Sequence, residues 1–207
     1  GDHLLMKGMQ KISRGKNFSG VVLYALKPGS QHKCTPYVIG GNMDGSDAGD
    51  LIAEFDATKA LRPDVAKPVW HNSLRLPKNE ALTDAQWSEI ANDYMARMGF
   101  TRTHLRCYIL HDDTDGQHIH VIASRVSLDS GKLYLGKNEN LISTRIIQQL
   151  ERGMSGSGWA APIFSTVPSA RVVNVPGHGV RARMRRSIAS ALCCQSMRPS
   201  SRVRRGA

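Results

Sequence analysis

The chain is predicted to be α+β, a central antiparallel sheet with helices packed on it, and three observations carry that prediction. Strand-like and helix-like segments are mixed along the sequence. Residues 106–125 form two apolar, β-prone runs around a polar segment containing Asp-Gly, the pattern of a hairpin with a longer loop. No internal repeat is present. At 207 residues the chain is long enough for one well-packed domain.

Residues 7–16 read as a basic, glycine-punctuated lead-in. Asn17 is a cap for a helix to about Lys27, with Phe18, Val21, Val22, Tyr24, Ala25 and Leu26 as a mostly apolar pattern, and Pro28-Gly29 ends it. Residues 34–39 suggest a short strand before a Gly40-Gly41-Asn42 turn. Ser46 or Asp47 starts a helix to Leu61, with Leu51, Ile52, Phe55, Thr58 and Leu61 at helical spacing. Residues 69–76 read as a strand bounded by Pro77. Thr83 and Gln86 form a capping box, Trp87, Ile90, Ala91, Tyr94 and Met98 form an apolar stripe, and Gly99 stops the helix. After the hairpin come a short strand at 132–135 and an amphipathic segment from Asn140 to Leu150.

The chemistry concentrates on the hairpin. Side chains two apart in a strand share a face, so His118 and His120 are neighbours. With residues 112–117 as the connection, His111 lies opposite His118, and opposed residues also share a face. Three of the chain's eight histidines therefore converge. A lone strand histidine is usually structural, whereas three converging imidazoles form a site for a divalent ion with positions left open for substrate.

The net charge of +11 resides mainly in the last quarter of the chain. Residues 153–207 hold nine arginines and no Lys, Asp or Glu, leaving +2 for residues 1–152. A nucleic-acid function must therefore rest on local chemistry, not on overall charge. Residues 1–152 are expected to form the domain and 153–207 a basic tail, disordered or non-native to it. No apolar run of about 18 residues exists, so no membrane insertion is expected. The first residues lack the pattern of a secretory signal. Four cysteines without C-x-x-C spacing fit a cytoplasmic protein, with Cys107 a packing residue.

Three blocks together resemble the relaxases of plasmid mobilisation and conjugation, the MobA/VirD2-like branch of the histidine-hydrophobe-histidine endonucleases. The blocks are the 18–27 helix with Tyr24, the segment from His71 through Ser73 and Pro77 to Glu80, and the hairpin with His118-Ile119-His120. The resemblance covers about residues 6–150. It implies a nuclease domain that cuts single-stranded DNA at an origin of transfer, with site and strand specificity, through a covalent 5′-phosphotyrosine. On that basis His111, His118 and His120 hold the metal, Mg²⁺ or Mn²⁺, and Tyr24 attacks. Glu80, Asp112, Asp113 or Asp115 orients a ligand or takes the proton. Ser73, Arg75, Lys78 and Arg125 contact DNA, with Arg102 and Arg106 as further phosphate candidates and Trp70, Tyr37 or Tyr108 for base stacking. Implied partners are relaxosome accessory proteins and a type IV secretion coupling protein. Alternatives are a rolling-circle replication initiator, for which Tyr134 is the one downstream tyrosine, a non-catalytic DNA-binding relaxosome fragment, and a structural zinc module.

Overall fold

A computed structural model describes residues 12–30, 33–114 and 116–154. It contains β1 (Ser13–Gly15), α1 (Phe18–Leu26), β2 (Tyr37–Gly41), α2 (Ala48–Leu61), β3 (Val69–Arg75), α3 (Asp84–Met98), β4 (Arg106–Asp113), β5 (Gly116–Ser124) and α4 (Glu139–Met154). The strands form one antiparallel sheet in the order β1-β3-β5-β4-β2, so the hairpin lies at its centre. The expected α+β class holds.

Strand alternation sorts the core into two layers. On one face Val69, Cys107, Ile109 and Ile122 pack against Phe18, Val22 and Ala25 of α1 and Leu51 and Phe55 of α2. On the other, Trp70, Leu74, Tyr108, Leu110, Ile119 and Val121 meet α3, through Trp87, Ile90 and Tyr94, and α4, through Ile146, Ile147 and Leu150. Helices on both faces explain why all nine residues of β5 are buried.

The local signals worked where they were self-contained. The backbone N–H of Gln86 donates to Thr83 Oγ1 at 3.2 Å, and that of Thr83 donates to Gln86 Oε1 at 2.9 Å, completing the capping box. Gly99 closes α3 at φ 103°, a left-handed conformation suited to glycine. Asp47 caps α2 by accepting from the Asp50 backbone N–H at 2.9 Å.

Other expectations need correction. The hairpin loop is shorter than anticipated, because Asp112 and Asp113 pair with Gln117 and Gly116. Gly116, at φ 125°, permits that tight return. Asn17 does not cap α1 with its side chain; its Oδ1 instead accepts from Lys59 Nζ at 2.7 Å, linking the start of α1 to α2. Gly40 and Gly41 belong to β2, beyond a register shift that starts at Val38. The proposed strand at 132–135 is reduced to a single bridge between Leu133 and Val126. Strand β1 was missed: three residues are too few for a period, and only pairing with β3 defines them. Helix α4 runs to Met154, two residues past the expected domain end at 152, and the remainder of the expected tail, 155–207, lies outside the described residues.

Candidate metal centre

The register turns the strand argument into geometry. His111 pairs directly with His118, and Ser73 pairs with His120, so these four side chains occupy the α1 face of the sheet. Imidazole centroids are 4.9 Å apart for His111 and His118, 4.3 Å for His111 and His120, and 5.1 Å for His118 and His120. One ring nitrogen from each lies within 4.8 Å of the other two. All three residues are buried. Burial, then the neighbouring His111, His118, His71 and Arg75 in their charged forms, lowers the His120 pKa to about 2. His120 is therefore neutral at physiological pH, the form that ligates. Three convergent imidazoles fit a divalent ion with nitrogen affinity, and the donor set does not select among such ions.

The nucleophile candidate is attached to this cluster through the backbone. His111 Nε2 lies 2.6 Å from the carbonyl oxygen of Ala25, in the last turn of α1. A carbonyl only accepts, so Nε2 carries the hydrogen and His111 keeps its lone pair on Nδ1. The same bond serves a helix-terminal carbonyl that has no partner within its helix. Tyr24, one residue earlier, is 66 % exposed, and its ring meets that of His120 edge-on with centroids 6.0 Å apart. A tyrosine used for packing would be covered by its neighbours. This one stands at the rim of a cleft of about 390 Å³ lined also by Lys27, His71, Arg75 and Asp113.

The remaining expected site residues separate. Arg75 pairs with His118 and lines the cleft. Ser73 is buried beside His120. Asp113 Oδ2 faces His118 Nδ1 at 3.8 Å, while Asp112 pairs with Lys33 at 3.5 Å. Lys78 is exposed in the turn after β3, where the Glu80 N–H donates to the Pro77 carbonyl. Glu80 is not among the cleft-lining residues. Asp115 lies outside the described residues.

Arg125 departs from its expected phosphate contact. It is buried, and its guanidinium donates to the Tyr134 carbonyl at 3.1 Å and the Lys67 carbonyl at 2.9 Å. Basic character in the sequence could not reveal that these carbonyls would surround it. Arg106 is also buried and donates to the Thr101 carbonyl; Arg102 stays exposed. Trp70 and Tyr108 are core residues of the opposite face, and Tyr37 donates to Asp84. Tyr134 is buried there too, stacked on Phe100 and donating to Glu139.

Sequence reasoning overlooked Lys27 and gave little weight to His71. Lys27 follows Tyr24 by three residues, a spacing that places both on one side of a helix and could have identified it.

Burial makes the metal-free protein acid-sensitive. His71, His104 and His120 all titrate below the ordinary imidazole value, with desolvation the largest cause. The unfolded chain takes up protons near pH 6.5 that the folded chain refuses. Stability is thus fully present above that pH and falls below it, by up to ~1.4 kcal/mol per pH unit for each histidine. Urea midpoints measured at pH 7.5, 6 and 5 should decline in that order, and a flat series would contradict the buried-neutral assignment.

No curated protein and no solved structure matches the chain. A family model described as the nuclease domain of MobA/VirD2-like relaxases matches residues 24–155, a span that opens on Tyr24 and contains the whole histidine cluster. That match covers more than half of the sequence, and the chain therefore belongs to the MobA/VirD2-like relaxase nuclease family.

Proposed function

We propose that this nuclease domain nicks single-stranded DNA at an origin of transfer, with site and strand specificity, by attack of Tyr24, and that the nick initiates conjugative mobilisation. The observation that supports this most directly is an exposed phenol beside three convergent imidazoles, on a helix hydrogen-bonded to one of them. Family membership itself carries a metal-dependent nuclease and single-stranded DNA binding.

In the proposed reaction the Tyr24 oxygen bonds to phosphorus as the bond from phosphorus to the 3′ oxygen breaks. The phenol loses a proton and the departing oxygen gains one, so the exchange balances. A phosphotyrosine remains on the 5′ end, and the released strand ends in a 3′-hydroxyl. The linkage is still a phosphodiester, so the reverse step reseals the strand without a nucleotide cofactor. A divalent ion held by His111, His118 and His120 would supply positive charge to a phosphate oxygen. Mg²⁺ or Mn²⁺ is the ion proposed from the family, while an all-imidazole donor set by itself suits zinc, iron, copper or nickel better than magnesium. Lys27 and Arg75 add cationic side chains along the same cleft, suited to a polyanionic strand. His111 holds the end of α1, and Asp113 lies 3.8 Å from His118 Nδ1, a carboxylate beside that ligand but beyond hydrogen-bond distance. Accessory relaxosome proteins and a type IV coupling protein complete the proposed setting, in the cytoplasm. Among the described residues no helix is long and apolar enough to cross a membrane.

The full chain incubated with origin-like single strands and Mn²⁺ should yield a denaturation-resistant protein–DNA adduct, absent with chelator. Peptide mapping should place the DNA on Tyr24. An adduct at Tyr134 would instead support the rolling-circle type of initiator, and would require that buried ring to leave the core.

A further inference from the structure

We infer that His71 is a positioning residue of the metal centre, holding His120 so that its Nε2 is the atom presented to the ion. The inference rests on the reading of His111, His118 and His120 as ligands.

Strand pairing brings His71 into place. Ser73 lies opposite His120, and His71 is two residues away on the same face. His71 Nε2 and His120 Nδ1 are 2.9 Å apart. The ring centroids are 5.2 Å apart with 12° between planes. Together with that nitrogen–nitrogen distance, this sets the rings edge to edge and nearly coplanar, the geometry of an in-plane hydrogen bond. Behind His71, its Nδ1 lies 3.5 Å from Ser13 Oγ, because Ser13 is its direct partner across β1 and β3.

Proton counting gives the bond a direction. A neutral imidazole has one N–H and one lone pair. If His120 Nδ1 accepted from His71, its only lone pair would be occupied and none would remain for a metal. Ligation by His120 therefore requires Nδ1–H to donate to His71 Nε2. A neutral His71 then carries its hydrogen on Nδ1, facing Ser13. His71 does not join the group whose nitrogens lie mutually within 4.8 Å, which separates it from the ligands.

Two of the ligands thus have a hydrogen-bonded orienting group, the Ala25 carbonyl for His111 and an imidazole for His120, while the Asp113 carboxylate stands 3.8 Å from His118 Nδ1, beyond hydrogen-bond distance. A neutral acceptor fixes the ring without adding negative charge, so less of the ion's charge is cancelled than by a second carboxylate.

The test uses the full chain and two readouts. Long-range ¹H–¹⁵N correlation spectra of the metal-free protein should show His120 and His71 both as Nδ1–H tautomers; an Nε2–H tautomer at His120 overturns the proposal. In calorimetric titration with Mn²⁺ alone, His71→Ala should lose ~10–100-fold in affinity, the usual range for groups that orient a ligand histidine. His71→Gln, whose amide oxygen can accept the same bond, should recover most of it. An unchanged affinity in His71→Ala, or a folded His71→Gln as weak as the alanine variant, overturns the proposal. Should the wild-type chain bind no Mn²⁺, the ligand reading fails separately, and the spectra still decide the direction of the His120–His71 bond.

Discussion

Tyr24→Phe should abolish the covalent adduct with origin-like DNA while leaving the protein folded and able to bind both Mn²⁺ and the strand. The substitution deletes one oxygen, the atom proposed to bond to phosphorus, and no other part of the ring can replace it. The phenol ring is 66 % exposed, so the stability change should stay within about 0.5 kcal/mol. The edge-on contact with His120 involves the ring and survives in phenylalanine. Denaturing gels of wild type and variant with labelled single strands provide the measurement. Persistence of the adduct in the variant would assign the nucleophile to another residue, and loss of Mn²⁺ affinity would mean that the hydroxyl takes part in metal binding.

His111→Ala should have a double effect that His118→Ala lacks. Both variants remove one of three ligands, and Mn²⁺ affinity should fall by at least ~100-fold, beyond the range typical of residues that only orient a ligand. His111 additionally donates from Nε2 to the Ala25 carbonyl. Its loss leaves that helix-end oxygen unserved, at a cost of about 1–3 kcal/mol if it stays buried. Hydrogen exchange should therefore quicken at the Leu26 and Lys27 amides in His111→Ala and remain near wild type in His118→Ala. Equal exchange in the two variants would show that α1 is held by its apolar contacts alone. With non-covalent DNA binding retained, adduct formation should drop to background in both.

The difference between those variants bears on what the sequence could reveal. Strand period alone places His118 and His120 on one face, and a hairpin read with residues 112–117 as its connection adds His111, so the trio was legible within ten residues although the loop itself is shorter. The Thr83–Gln86 box and Gly99 were equally local, and both ends of α3 follow from them. Asn17 had the residue type of a cap, yet its oxygen went to Lys59, 42 positions away. Arg125 had the look of a phosphate contact, yet two carbonyls from separate segments enclose it. Trp70 and Tyr108 were plausible stacking platforms until strand register turned them toward α3 and α4.

By itself the sequence determined an α+β chain whose central hairpin gathers three imidazoles, because alternation and turn chemistry act between near neighbours. The tertiary structure alone decided that Tyr24 stands over that cluster and that His71 touches it. Those relations depend on bonds between residues 86 and 49 positions apart. Such contacts form only when α1 and β3 are packed and paired in a particular register, and no short-range pattern encodes that choice.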